Sequence, residues 1–456
     1  MQFETYINTP EAIWFTNIPI GWRATKMREL FSERNEKVSD KEFAALSVGK
    51  MGVVPQLDSA VKTDNGDNRK LIRKGDFAIN SRSDRKGSSG ISEYDGSASL
   101  IITVLKPHHE INGHFYHYLL RSHYFVEEFY RNGHGLVSDL WTTKWDEMRN
   151  IFVPVPPREE QDQIVRFLDW KVSKINKLIH GYQKLIRLLS EKMQYTVCQA
   201  VLHGLNKKVE TKQVDIQNIT EIPAHWSILQ NKRIFAERSE FSETGTETLL
   251  SVSKHFGVKP YYDLADNEKF ATIKPADSLI GYKKVMKNDL AMNIMRARNG
   301  SFGVSEYDGI VSPAYAVYRL IIDCNLKYLH YLLRTPQVIG IFESYSYGIA
   351  EHRRRLYPFD FLRLYLPVPP KSEQDEIVEF IKSEQIKTEK AISSIQNKID
   401  LLREYRTRLI SDVVTGQIDV RGINIPDYEP EEELFEPEEE IPDDDMIEAE
   451  DENDND

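Results

Sequence analysis

The sequence predicts an α+β protein: two globular α/β domains in pseudo-two-fold repeat, separated by two long helices that form an antiparallel coiled coil. Three observations predict it. The chain repeats itself about 210 residues apart, each repeat opens on short β-rich runs broken by turn residues, and each closes on apolar residues spaced mostly 4 and 3.

The repeat is explicit. Ile18, Pro19 and Trp22 return as Ile222, Pro223 and Trp226, and Phe31, Glu33, Arg34 and Glu36 return as Phe235, Glu237, Arg238 and Glu240, at an offset of 204. Leu46, Ser47, Val48 and Lys50 return as Leu250, Ser251, Val252 and Lys254. After nine inserted residues the offset is 213: Asp76 and Asn80 match Asp289 and Asn293, Ser-Glu-Tyr-Asp-Gly at 92–96 recurs at 305–309, and His-Tyr-Leu-Leu-Arg at 117–121 recurs at 330–334. Pro-Val-Pro-Pro at 154–157 recurs at 367–370, with Glu-Gln-Asp just behind at 160–162 and 373–375. Solenoid repeats run to roughly 20–50 residues, so two whole globular-plus-helical units follow one another.

Within each unit, strands are predicted at 77–80, 100–105 and 151–155, and a helix at 113–130 with its counterpart at 326–342. Proline lacks the ladder donor, so Pro-Val-Pro-Pro ends a strand. A long helix follows. Its apolar seam runs through Ile164, Leu168, Val172, Ile175 and Ile179 to Met193 and Ala200, and the second copy runs through Ile377, Ile381, Ile392, Ile395 and Ile399 to Val413. Ser372 with Asp375 is expected to cap the second helix, and Gly204 and Gly416 stand where helices stop. Helices of this length cannot bury a seam alone, which favours mutual pairing over two separate core helices. The boundaries read as a globular domain at 1–157, helix and linker at 158–212, a second globular domain at 213–370, helix at 371–423 and an acidic disordered tail at 424–456.

The net charge of −12 hides a division. Residues 427–456 hold 18 Asp or Glu and no Lys or Arg, so the rest of the chain carries +6. No apolar run reaches the ~18–20 residues of a membrane span, and the start has no basic, apolar leader, so a cytoplasmic protein is expected. Cys198 and Cys324 read as free thiols in a reducing compartment and supply no Cys-rich zinc site.

The paired Ile-Pro-x-x-Trp openings, the Pro-Pro pairs followed by Glu160-Gln161 and Glu373-Gln374, and the long helices together resemble the specificity subunits of type I restriction-modification systems of bacterial defence, over nearly all of residues 1–423. The resemblance implies two target recognition domains, each reading one half of a bipartite asymmetric double-stranded DNA site in the major groove. It implies that the helix pair sets the spacing and docks two methyltransferase subunits, which bring ATP-dependent restriction and translocase subunits. It implies a noncatalytic chain without cofactor, with S-adenosylmethionine, ATP and magnesium on the partners. The acidic tail is not part of the family pattern.

Two loops per head are candidate DNA contacts. The first offers Arg82, Arg85, Lys86 and Ser88, against Arg296, Arg298, Asn299 and Ser301 in the second copy. Arg and Lys beside a strand end suit phosphate, and Arg can also read guanine edges; the alternative is a solvated basic turn. The second loop offers His134, Ser138 and Lys144, against His352, Arg353, Arg354 and Arg355, with Gly133 set against Gly348. This loop diverges between otherwise similar halves, as reading two different half-sites demands; a surface salt-bridge cluster or a docking face is the alternative for the arginines. The Ser-Glu-Tyr-Asp-Gly segments read as structural turns, not catalytic carboxylates.

There is no phosphate-binding Gly-rich loop ending in Lys-Ser or Lys-Thr, no Asn-Pro-Pro-Tyr-like methyltransferase motif and no convincing metal-spaced histidine pair. Glu210 with Lys212 is a nuclease-like fragment without its upstream partner. Two other classes remain as alternatives: a noncatalytic coiled-coil scaffold whose heads bind protein, and a nuclease with an unrecognised site.

Overall fold

The structure, a computed structural model, describes residues 3, 5–56, 66–82, 85–108, 111–135, 141–254, 256–265, 276, 278–348 and 354–431. Among these the chain forms two compact units. Of the described residues, unit 1 holds those of Met1–Lys184 and of Ile395–Glu436, and unit 2 those of Leu185–Ser394.

Each unit carries an α/β head built on the same four-stranded antiparallel sheet. In unit 1 the order is Ser89–Ile91, Phe77–Asn80, Ile102–Pro107, Phe31–Glu33; in unit 2 it is Phe302–Val304, Leu290–Asn293, Tyr315–Leu320, Phe235–Glu237. Both second strands are buried at every position, so they read as unbroken short runs. The predicted strand at 100–105 is displaced to Ile102–Pro107, and that at 151–155 starts at Phe152.

Two side-chain anchors repeat under the sheets. Arg34 grips Asp76 through Nε and Nη2 at 2.7 and 3.1 Å, and Arg238 grips Asp289 at 2.6 and 3.2 Å, with both carboxylates buried. Opposite charge and two parallel N–H donors make such a fork the strong form of ion pair. Backbone also crosses backbone: a Cβ on Gly90 or on Gly303 would stand 2.9 Å from the Cα of Gly52 or of Gly257.

The single helix predicted at 113–130 is two, Gly113–Arg121 and His123–Arg131, and its counterpart is Leu326–Leu333 and Pro336–Ser344. Ser122 and Thr335 are extended and their hydroxyls accept the N–H of Phe125 and Val338. A hydroxyl residue in that role starts a new helix. Pro336 in the first turn adds to it, since proline's missing N–H costs nothing there. The Ser-Glu-Tyr-Asp-Gly segments are turns, with Ser92 and Ser305 Oγ donating to the carbonyls of Tyr94 and Tyr307 at 2.7 Å in both copies.

The recurring motifs form a joint between each head and its long helix. In unit 1 the Trp22 indole donates to Glu160 at 2.8 Å, while Gln161 donates to the Pro156 carbonyl at 2.9 Å and accepts the Asn112 N–H at 3.2 Å. In unit 2 Trp226 donates to Glu373 at 3.1 Å, and Gln374 donates to Pro369 at 2.8 Å and accepts from Asn325 at 2.7 Å. Asn112 and Asn325 also cap the helices that follow them. Cys198 and Cys324 are free, and the Cys324 thiol donates to Gln374 at 2.9 Å.

The long helices are Arg158–His203 and Lys371–Val414. No bond from Ser372 caps the second; its opening N–H groups, those of Glu373 and Gln374, donate to the Pro370 carbonyl at 3.0 Å, and Asp375 takes Lys371 and Asn325 instead. Within unit 1 Arg406 donates to Asn176 at 2.7 Å and Lys398 lies 5.8 Å from the Tyr182 ring, so one helix descends as the other rises. Within unit 2 Thr388 donates to Met193 at 3.7 Å, and Ala200, Val201 and Leu202 share a core with Ile377, Val378 and Ile381. The pairing is antiparallel in both units, as predicted. Gly204 and Gly416, at φ +74° and +77°, end the two helices against Trp226 and Trp22, where a Cβ would come within 3.4 Å and 3.1 Å of the rings.

Residues 424–431, which composition places in a disordered tail, lie along the first long helix in unit 1. Gln163 donates to the carbonyls of Val420 and Ile423 at 3.0 and 2.9 Å, Ser173 bonds the backbone of Glu429 and Glu431 at 3.2 and 2.8 Å, and His180 meets the Glu431 carboxylate at 2.6 Å. The inward, half-buried side chains of Ile423, Ile425, Tyr428 and Glu431 alternate with exposed neighbours. The rest of the acidic tail, 432–456, lies outside the described residues.

Candidate nucleic-acid interface

The first loop leaves the sheet at Asn80 and re-enters it at Ser89. Asn80 fixes its base: its N–H donates to Ser88 O at 2.9 Å and its side-chain oxygen accepts the Arg82 N–H at 3.1 Å. Asn293 does the same for Ser301 O at 3.0 Å and the Met295 N–H at 3.1 Å. Arg85, Lys86 and Asn299 are exposed, and Arg82, Arg296 and Arg298 are half-buried. Ser88 and Ser301, expected as contacts, are 5% and 2% exposed; their place in the strand pairing turns them inward, and they close the loop instead.

The second loop is a small β-closed excursion from the end of a helix. His134 and Thr142 exchange backbone hydrogen bonds at 2.9 and 3.0 Å, and Tyr347 and Arg355 exchange them at 3.2 and 3.0 Å. These pairs are 213 residues apart, so the loops have equal length and Gly135, not Gly133, matches Gly348. His134 and Lys144 are exposed; Arg355 is half-buried. Ser138, His352 and Arg353 lie outside the described residues.

The two loops meet in each head. The Thr143 N–H donates to Ser81 O at 2.9 Å, Arg82 bridges Thr142, and the Tyr130 hydroxyl donates to Arg82 O at 3.1 Å. In unit 2 the Leu356 N–H donates to Ile294 O at 2.9 Å, at the same relative positions. The arrangement therefore gathers Arg82, Arg85, Lys86, His134 and Lys144 around one corner of the first head, and Arg296, Arg298, Asn299 and Arg355 around the matching corner of the second.

Internal partners temper this charge. Lys86 pairs with Glu127 at 2.5 Å and lies 5.5 Å from the Tyr130 ring, so an external anion would have to displace that carboxylate. Arg354, expected as a contact, donates through Nε to Ser346 O at 3.1 Å and through Nη2 to Glu343 O at 3.0 Å, closing the end of the helix Pro336–Ser344. Two of its nitrogens are thus committed to backbone carbonyls at and just past the helix end, where Glu343 O also takes the Ser346 N–H at 3.2 Å. The counterpart of Arg354 is Trp141, 213 residues earlier; setting Gly133 against Gly348 puts this loop two residues out of register and hides the pair, which the constant offset of 213 reveals. Among the described residues no cluster of His, Cys, Asp and Glu could hold a metal, and no helix is long and apolar enough to cross a membrane.

No protein-family model matches the chain. It is 23% identical over 291 residues to the type I restriction enzyme MjaVIII specificity subunit of Methanocaldococcus jannaschii, covering 60% of this chain and 64% of that one. It is 23% identical over 288 residues to the type I restriction enzyme EcoBI specificity subunit of Escherichia coli, covering 59% of each. The matched part thus spans about three fifths of these curated relatives. A chain from a structure described as the basis of complex assembly and conformational transition of the type I R-M system shares the fold, at TM-score 0.55 and 16% identity over 88% of this chain and 99% of that one. Repeat, joint motifs and relatives point the same way: the chain is similar to the specificity subunits of type I restriction enzymes.

Proposed function

We propose that this chain is the DNA-specificity subunit of a type I restriction-modification complex in the cytoplasm. Each head reads one half of a bipartite, asymmetric double-stranded DNA site through the major groove. The helix pair sets the spacing between half-sites and docks two methyltransferase subunits, through which ATP-dependent restriction and translocase subunits join. The chain itself does no chemistry; S-adenosylmethionine, ATP and magnesium act on the partners.

The observation that carries this reading is the pair of matching corners. Two heads hold two loops on the same backbone frame, yet fill them with different side chains. A scaffold kept constant under variable contact residues is what reading two unlike half-sites requires. Exposed Arg85, Lys86, His134 and Lys144 in one head, and Arg296, Arg298, Asn299 and Arg355 in the other, are the contact set. Arginine gives bidentate recognition of guanine, and lysine gives phosphate attraction that weakens with salt.

The test is the genomic methylation pattern of a host expressing the chain with its cognate methyltransferase. A split asymmetric adenine-methylation motif is expected, and exchanging residues 213–370 for the second head of another family member should change one half only. Methylation that does not depend on the chain, or a change in both halves, would overturn the reading.

A further inference from the structure

We infer that Trp141 and Arg354 are positioning residues for the second loop of each head, two different solutions to one anchoring problem. The inference rests on the reading that these loops contact DNA. Both loops spring from a helix C-terminus, where the last carbonyls lack partners within the helix. In unit 1 those of Phe129 and Tyr130 accept the Thr143 hydroxyl at 2.9 Å and the Trp141 indole N–H at 2.9 Å. In unit 2 the equivalent carbonyls, of Phe342 and Glu343, accept the Ser346 hydroxyl at 2.6 Å and the Arg354 guanidinium at 3.0 Å. Every residue of one set of carbonyls lies 213 positions from its counterpart.

The donors have been exchanged as a group. Thr143, after the loop, does in the first head what Ser346, before the loop, does in the second; their partners across the offset are Leu356 and Gly133. Gly133 follows from the choice of tryptophan, since a Cβ there would stand 2.4 Å from the Trp141 Nε1 and 2.7 Å from the Thr143 Oγ1. Arginine leaves that space open, and serine occupies it. Tyr130 O and Glu343 O already take the N–H of Gly133 and Ser346 at 3.1 and 3.2 Å, so in either head the side-chain donor adds a second bond, and both flanks of the loop are tied to a packed helix. A side chain that must reach a base edge needs its backbone held to a fraction of an ångström, which a loop closed by one backbone pair alone does not provide.

The test uses the full chain with its cognate methyltransferase and reads methylation at cognate sites and at sites altered by one base. Trp141→Phe keeps a ring but removes the donor, and should raise methylation of sites altered in the first head's half about tenfold relative to cognate sites, the ratio that a hydrogen bond's worth of positioning commands, with the other half unaffected. Arg354→Ala should do the same to the second half alone. The triple exchange Ser346→Gly, Arg354→Trp, Leu356→Thr, which moves the first head's anchor into the second, should restore fidelity. Amide hydrogen exchange of the purified chain gives an independent reading: His134 and Thr142 should lose protection in Trp141→Phe while Ser89–Ile91 keeps it. Unchanged near-cognate methylation, relaxation of both halves together, or unchanged exchange at His134 and Thr142 would overturn the inference. A wild-type chain that directs no methylation would instead overturn the proposed function.

Discussion

The two heads differ least where side chains are buried and most where they close a loop. Arg34 and Asp76 have identical counterparts in Arg238 and Asp289, and the Trp, Glu and Gln of the joint repeat residue for residue with bond lengths within about half an ångström. The carbonyls at 129–130 and 342–343 are also satisfied in both heads, but by Thr and Trp in one and Ser and Arg in the other. A buried charge admits few partners, because an unpaired one is heavily penalised. A helix-end carbonyl accepts any donor that reaches it, so sequence there can drift while geometry is kept.

The comparison can be broken most severely at the buried fork. Asp76→Ala leaves Arg34 with only Glu36 at 4.0 Å and should destabilise unit 1 by about 3–5 kcal/mol, whereas Asp289→Ala leaves Arg238 its 2.6 Å bond to Glu240 and should cost unit 2 less, each seen as loss of hydrogen-exchange protection confined to that unit. Equal protection in both units would show that the forks do not support their heads separately. At the glycine crossings, Gly90→Ala and Gly303→Ala must push backbone aside and should cost about 1–3 kcal/mol, with similar losses in the two heads by thermal unfolding.

A smaller effect separates the joints. Trp22→Phe removes the indole donor to Glu160, a bond to a charged acceptor worth about 1.5–3 kcal/mol. Trp226→Phe should cost less, because Glu373 keeps His225 at 2.8 Å. Equal losses would mean that His225 carries no weight in the joint.

The smallest effect is a difference in acid sensitivity. Burial, reinforced by Arg121, pushes the His117 imidazole down to about 3, and burial with Arg334 pushes His330 to about 4. Both pKa values are depressed below the ordinary value of about 6.5, so the stability linked to neutral histidine is complete above that pH and is lost as pH falls. Head 2 should finish losing it near pH 4 and head 1 near pH 3. His117→Gln and His330→Gln should each flatten the acid slope of the unfolding temperature for the corresponding unit; an unaltered slope would assign acid sensitivity to other groups.

Much of this was legible in the sequence. The duplication, the paired helices and the stop at Gly204 and Gly416 follow from periodicity and turn chemistry. The motifs at Trp22 and Gln161 were visible as a pattern, but their meaning as a joint was not, since side-chain bonds across 138 residues leave no local trace. Thr335 followed by Pro336 was a readable helix start, concealed because apolar residues recur at helical spacing on both sides of it. Ser88, Ser301 and Arg354 looked like surface contacts because polar type says nothing of direction; strand pairing turned the serines inward, and the arginine turned back to the carbonyls of Glu343 and Ser346.

The segment 420–431 laid along the first long helix bears on the order in which the protein can be completed. Unit 2 is contiguous in the described chain, from Leu185 to Ser394. Unit 1 joins residues made early to residues made much later, with Gln163, Ser173 and His180 waiting for partners some 250 positions downstream. Contacts of such long sequence separation form slowly, since loop closure must precede them. During synthesis the second head can therefore close before the first has its full complement of helix and strap. Of the two heads, the one that emerges earlier is locked later.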